Sequence, residues 1–267
     1  MAVIEQLDSW QKRYAGWKAR PQSRDDIADY PFVENVRSPF TPLRRALPML
    51  NLALISSAGA FIEGTEAFDT VAAGGDLTFR EIPSEIDLND LRYAARGYDV
   101  RYLQEDPNVQ IPLARLTEFR ANRVIGQLAP AFWSFCGFIP DAARFTDEML
   151  PRLVERLQRH EVQAALLIPA SRLCHQSVAL AARAIEIAGI PTIALGVERD
   201  VMELTRPPRS AYYAGQTGSV AGNPKWPEHQ RRVLDEALRW LEPMGQPGIK
   251  KLTVELESQV EAARGER

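Results

Sequence analysis

Ser171, Cys174 and His175 fall together in the run Pro169-Ala170-Ser171-Arg172-Leu173-Cys174-His175-Gln176, between an apolar stretch and the start of a helical pattern. Ser171 suits an N-cap, which places Cys174 in the first turn beside amides that have no helical partner. The positive end of the helix dipole lowers a thiol's pKa below its free value of about 8.5, so Cys174 is a candidate nucleophile. The competing reading is a small apolar filler between helix and sheet, the usual fate of a free cysteine, and the pattern leaves both open. His175 is kept as a catalytic candidate that faces a ligand. It projects about a third of a turn from Cys174, so the two form no ready-made thiolate–imidazole pair.

Cys136 is the second sulfur and precedes Gly137 at an expected strand end. Ser57 and Gly59, in the turn Ser56-Ser57-Ala58-Gly59, and Gln176 are further candidates for binding a substrate. Arg80 carries a planar fork suited to clamping a carboxylate, with a surface ion pair as its alternative. His160, His175 and His229 are scattered, none at a spacing typical of zinc, and a G-x-G-x-x-G turn is absent. The pattern therefore predicts no metal, no nucleotide and no cofactor.

The elements that must position these residues follow from apolar periodicity. Residues 162–168 read as a buried strand ended by Pro169, Leu173 onward as a helix stopped near Gly189, and residues 190–195 as a second strand. Such a unit makes a right-handed crossover between parallel strands, and ligands bind beyond the carboxyl ends of the strands in open α/β sheets. Further strands are expected at residues 50–57, 77–82, 132–139 and 210–214, with residues 124–129 joining the strand or strand pair before Cys136. Helices are expected at 88–96, 112–122, 145–160 and 228–241. Residues 1–20 carry Ile4, Leu7, Trp10, Tyr14 and Trp17 at helical spacing, an aromatic stripe for docking on the same chain or on a second subunit. The fold class is α/β, with an open, mainly parallel sheet flanked by helices and an N-terminal helical arm. Residues 1–48 form the helix and a proline-rich connector, 49–245 the α/β domain, and 246–267 a polar, frayed tail.

Composition narrows the partners. The 267 residues are 45% hydrophobic and 25% charged, ordinary for a globular chain, and the net charge is -3. No basic field is present for nucleic acid or an anionic membrane, and no run approaches the roughly 20 apolar residues of a spanning helix. The N-terminus lacks a secretory pattern, so a cytoplasmic location with both cysteines reduced is expected. The expected partner is a small molecule bearing a carboxylate or ring amide, bound by a homo-oligomer.

The run Pro169 to Thr192 resembles the equivalent stretch of the selenoprotein B family, the selenocysteine subunits of glycine, sarcosine, betaine and D-proline reductases. It is most similar to the short D-proline reductase type. The resemblance extends collinearly through Ser38-Pro39-Phe40-Thr41-Pro42-Leu43, residues 52–59, residues 75–83, Gly137-Phe138-Ile139-Pro140-Asp141 and Arg206-Pro207-Pro208-Arg209. In those subunits a selenocysteine stands three residues before a cysteine, and here that position is Ser171. A serine hydroxyl forms no selenosulfide with Cys174, so the family's redox chemistry does not transfer intact. The resemblance implies cleavage of a carbon–heteroatom bond, C–N or C–S, with a desulfhydrase on a thiohydantoin-type ring as one example. Two alternatives stand beside it: a racemase- or decarboxylase-like enzyme using Cys136 and Cys174 on opposite faces of a carbon, and a non-catalytic subunit of a reductase-type complex.

Overall fold

The computed structural model describes residues 1–254 apart from 22, 24 and 25. In chain order, α1 (Leu7–Lys18) leads through an extended arm to β1 (Asn51–Ser56), β2 (Ala60–Ile62), β3 (Arg80–Pro83) and β4 (Leu91–Tyr93). Then come α2 (Arg101–Glu105), α3 (Leu113–Ala121), β5 (Gln127–Leu128), β6 (Ala131–Ser134) and α4 (Ala142–Arg144). A π turn at Phe145–Met149 joins α4 to α5 (Leu150–Arg159), just before Pro151, whose missing N–H interrupts the helical ladder. The chain continues through β7 (Ala164–Ile168), α6 (Arg172–Ile187), β8 (Thr192–Gly196), α7 (Arg199–Thr205), β9 (Arg209–Tyr212), α8 (Pro227–Arg239) and β10 (Gly248–Lys251).

The main sheet runs β10-β9-β8-β7-β1-β6-β3, with β5 also beside β1. All of its pairs are parallel except β3 with β6, while β2 and β4 form a separate antiparallel pair. Strand β7 and the Leu52–Ile55 stretch of β1 are apolar because both faces are covered. Ala53, Ile55, Ala165 and Leu167 face a core shared with α1, α5 and α6. Leu52, Leu54, Leu166 and Ile168 face a second core shared with α3 and α8. This is the expected α/β sheet between helical layers, with the expected N-terminal helix.

Three local expectations differ from the structure. Residues 88–96 hold a single 3-10 turn (Leu88–Asp90) and then β4, because Leu91–Tyr93 pairs with β2. Strand pairing here overrides a weak helical period. Residues 124–129 contribute only β5. The tail is not frayed from residue 246, since β10 pairs with β9, and residues 255–267 lie outside the described residues.

The aromatic stripe of α1 docks on its own chain: Trp10, Tyr14 and Trp17 are buried, with Trp10 and Tyr14 stacked at 4.9 Å. Helix α6 holds the arm through buried polar groups. Arg183 donates to the carbonyls of Val3, Arg37 and Arg206 at 2.7–3.0 Å, and burial pushes its pKa down to about 10. Glu186 pairs with Arg209, both side chains fully buried, and also accepts from the amides of Thr41 and Thr192. Removing one partner of a buried pair strands the other charge. Arg209→Met is expected to cost about 3–5 kcal/mol in urea unfolding, and Glu186→Gln in the same chain is expected to recover part of it.

Candidate functional site

The site lies where β1, β6 and β7 end together, with Ser56 in register with Ile168 on one side and Ser134 on the other. The chain passes from β6 on one side of β1 to β7 on the other, so this is the point at which the sheet's winding reverses. Crevices form at such points in open α/β sheets. Ser57–Gly59 leaves β1 here, Cys136–Gly137 leaves β6, and Ala170–Ser171 leaves β7 into α6.

Two glycines permit the convergence. Gly59 has φ +66, and a Cβ there would lie 2.7 Å from the Ala94 carbonyl oxygen. A Cβ on Gly137 would lie 2.4 Å from the Ser57 Cβ and 3.0 Å from the Cys174 sulfur, so any larger residue would force the turns apart. Ser57 Oγ accepts from the Ala170 amide at 2.9 Å, Ser57 O from the Gly137 amide at 3.1 Å, and Gly137 O from Ser177 Oγ at 2.7 Å. Gly59 donates its amide to the Phe135 carbonyl at 2.9 Å.

Ser171 is the N-cap of α6. Its hydroxyl accepts from the Cys174 amide at 3.1 Å and donates to the Cys174 sulfur at 2.9 Å. Cys174 is 1% exposed. Burial pushes the thiol's pKa up; hydrogen bonds from Ser171, Ser57 and the backbone pull it down without reversing the shift. The helix start therefore does not make an ionised sulfur in the closed molecule, because desolvation outweighs the cap. Cys136, 3% exposed, donates to the Ala94 carbonyl at 3.4 Å, and burial followed by the charge of Cys174 raises its pKa to about 12.

The remaining candidates are placed as follows. His175 Nε2 accepts from the amides of Val197 and Glu198 at 3.0 and 3.3 Å, so Nδ1 carries the proton and donates to the Ser171 carbonyl at 2.7 Å. Burial lowers its pKa to about 4, leaving a neutral ring that ties the turn after β8 to the α6 cap. Gln176 accepts from the Val33 amide and donates to the Tyr30 hydroxyl, which ties it to the arm. Arg80 lies in the register row Ile168–Ser56–Ser134–Arg80, so its backbone stands three strands, roughly 14 Å, from β7. Its fork donates to the Glu66 carbonyl at 3.2 Å and lies 4.3 Å from the Phe68 ring centre. The structure thus brings together Cys174, Ser171, Ser57, Gly59 and Cys136, anchors His175 beside them, and leaves Arg80 and Gln176 engaged elsewhere.

A cover closes over the sulfur. Ala58, Leu103, Val109 and Ala170 pack with Cys174, flanked by Tyr93, Tyr98 and Tyr102. Tyr98 donates to the Ala58 carbonyl at 2.7 Å, and its pKa is raised by burial and then by Cys174 and Cys136. The 215–222 loop braces this cover: Gly218 donates to Ala170 O at 2.7 Å and Ala221 to Val109 O at 2.8 Å. None of five prominent surface clefts among the described residues is lined by Cys174, Ser171 or Cys136. Sequence reasoning passed over Tyr93, Tyr98 and the 99–110 segment, where only the three closely spaced tyrosines at 93, 98 and 102 stood out as a signal. Among the described residues no group of three or more His, Cys, Asp or Glu is arranged to hold a metal ion, and no helix is long and apolar enough to cross a membrane.

Fold and site define an α/β protein with a capped, enclosed thiol at its sheet's switch point. The family model for glycine/sarcosine/betaine reductase selenoprotein B matches residues 29–170. The D-proline reductase subunit gamma of Acetoanaerobium sticklandii is 30% identical over 202 residues, 76% of this chain and 82% of that protein. The sarcosine reductase complex component B subunit beta of Peptoclostridium acidaminophilum is 27% identical over 62% of this chain and 38% of its own length. For the glycine reductase complex component B subunit gamma of Symbiobacterium thermophilum the figures are 25%, 79% and 49%. The chain belongs to the selenoprotein B family. Its similarity is to subunits of reductase complexes, and it spans less than half of the two longer ones. No solved structure matches it significantly.

Two outcomes follow from this burial. Iodoacetamide at pH 7 to 8 is expected to label Cys174 about tenfold or more slowly than a free thiol, by peptide mass spectrometry, and Tyr98→Ala to speed labelling. The folded pKa of His175 lies below its unfolded value, so its contribution to stability is present above pH 6.5 and lost as the pH falls through about 4. Urea unfolding is expected to register a loss on the order of 2–3 kcal/mol over that interval, and His175→Gln to flatten it.

Proposed function

We propose that this chain is an enzyme of the selenoprotein B type in which Ser171 occupies the selenocysteine position and Cys174 cleaves a carbon–heteroatom bond. The substrate is a small amino-acid-derived molecule or cyclic amide. The observation that carries this reading is the 2.9 Å hydrogen bond from Ser171 Oγ to Cys174 Sγ, at the helix start and at the switch point of the sheet. A hydroxyl paired with a thiol stores no electron pair as a chalcogen–sulfur bond does, which favours a redox-neutral cleavage.

Removal of sulfur from a thiohydantoin-type ring illustrates a balanced route. The Cys174 thiol adds across the C=S bond, its sulfur to carbon and its proton to the thiocarbonyl sulfur. Loss of hydrogen sulfide, using the ring N–H proton, leaves the carbon doubly bonded to nitrogen and singly to Cys174. Water then adds to that carbon, the thiol is expelled, and the ring carbonyl forms. In sum a thiocarbonyl and one water become a carbonyl and one hydrogen sulfide, with no external reductant. A thiol that begins neutral suits the first step, since it brings its own proton. Ser171 acts as the hydrogen-bond donor to the sulfur whenever the bond to carbon breaks, and, because Cys174 is enclosed in this structure, turnover requires the cover at Tyr98, Leu103 and Val109 to open.

A second reading has one observation in its favour: Cys136 bridges Ala58 in the Ser57–Gly59 turn and lies close enough to Cys174 for a charge there to raise its pKa. In that reading the two sulfurs exchange protons at one substrate carbon. The deciding measurement is a screen of thiohydantoins and cyclic amino acids for sulfide, ammonia and solvent-deuterium exchange. The proposal expects sulfide or ammonia, abolished in Cys174→Ala and retained at a substantial fraction of the wild-type rate in Cys136→Ser. Exchange lost in both variants supports the two-cysteine reading. Absence of all three products from the isolated protein supports a non-catalytic subunit of a larger complex and overturns the enzyme.

A further inference from the structure

Ser171 is 1% exposed, yet on one side a single thickness of backbone separates it from solvent. That backbone is Gly97, which is exposed on its outer side. Its missing side chain would point inward: a Cβ there would lie 3.4 Å from the Ser171 Cβ and 2.5 Å from Cδ2 of the Phe138 ring. Gly97 also has φ +74, which side chains disfavour, so both the turn and the close approach require glycine. Residues 94–99 belong to neither a helix nor a strand, and a few contacts seat them. Ala94 is tied to the floor of the site, donating its amide to the Gly59 carbonyl at 2.9 Å and accepting from the Cys136 thiol at 3.4 Å. Arg96 donates to the Ala72 carbonyl at 3.0 Å and lies 4.4 Å from the Phe138 ring centre. Tyr98 donates to the Ala58 carbonyl at 2.7 Å. The chain then enters α2. Residues 95–99 are thus the edge of the cover held by side chains and not by a helix or strand ladder, and local opening starts in such segments.

We propose that residues 95–99 are the gate through which Cys174 is reached: Gly97 lifts off Phe138 and Ser171, with Arg96 as the latch, while the fold beneath stays intact. The inference goes beyond the reaction, since it concerns access to the sulfur and holds whichever bond Cys174 cleaves. Ser171 Oγ lies 2.9 Å from the Cys174 sulfur, so lifting Gly97 brings water to the capped turn. A thiol that regains water regains its ordinary acidity. Alkylation therefore proceeds from the open state, at a rate that scales with the population of that state.

The test is iodoacetamide labelling of Cys174 in the full chain, read by peptide mass spectrometry over a series of urea concentrations. A local opening exposes little surface, so the wild-type rate is expected to change little with urea below the global transition and to climb within it. A rate that follows the global unfolding slope at every urea concentration overturns the gate, because the sulfur is then reached only through complete unfolding. Gly97→Ala is expected to raise the low-urea rate about tenfold or more, since the added methyl cannot seat against Phe138. Gly64→Ala is the control: Gly64 has φ +80, and a Cβ there would meet nothing within 4 Å. It carries the backbone cost without the obstruction and is expected to label at the wild-type rate. Labelling of Gly64→Ala as fast as Gly97→Ala overturns the inference. Arg96→Met leaves the backbone alone and removes the latch, and is expected to raise the rate about three- to tenfold. It keeps the gate testable should Gly97→Ala fail to fold. A wild-type rate in either variant, provided that it folds by circular dichroism, refutes the gate. Labelling does not require turnover, so the gate and the reaction fail independently.

Discussion

The Cys174 sulfur rests against a glycine that has no room for a Cβ, and most of the site's geometry depends on that contact. Gly137 can approach because the ends of β1, β6 and β7 are level, and they are level because their hydrogen-bond register aligns Ser56 with Ile168 and Ser134. The turns that leave these strands then bind one another through Ser57, Ala170 and Ser177. Little solvent remains, so the thiol stays protonated in spite of the helix start and the serine beside it.

Helix α6 links this chemistry to the rest of the molecule. Its first turn holds Cys174 and anchors His175 to the turn after β8; its middle uses Gln176 and Arg183 to bind the arm; its last turn uses Glu186 to clamp Thr41, Thr192 and Arg209. Polar side chains that would ordinarily face water are buried because the arm lies across what would be the helix's solvent face. The arm is therefore part of the wall that holds the turn at Ser171–Cys174, and displacing it would expose buried charge as well as aromatic surface.

The strand–helix–strand unit around Cys174, the N-cap at Ser171 and the docking stripe of α1 were all legible, because each is written in local periodicity and capping chemistry. Family membership was legible too, since it rests on segments spread collinearly along the chain. Residues 88–96 were misread as helix because Leu91–Tyr93 is a strand only by virtue of β2 opposite it. The strand at Gly248–Lys251 escaped notice for the same reason, since its partner is β9 and its own composition is that of a tail.

The sequence by itself determined which residues can do chemistry and on which kind of element each sits: a serine cap, a thiol in the first helical turn, a second thiol at a strand end. Tertiary structure decided the state of those groups. Whether a thiol is ionised depends on what solvates it, and that was settled by a cover from residues 93–110 and a brace from 215–222, both distant in sequence. The same holds for Arg80 and Gln176, whose side chains suit a ligand but find their partners in loops and arm residues that only the folded chain brings near.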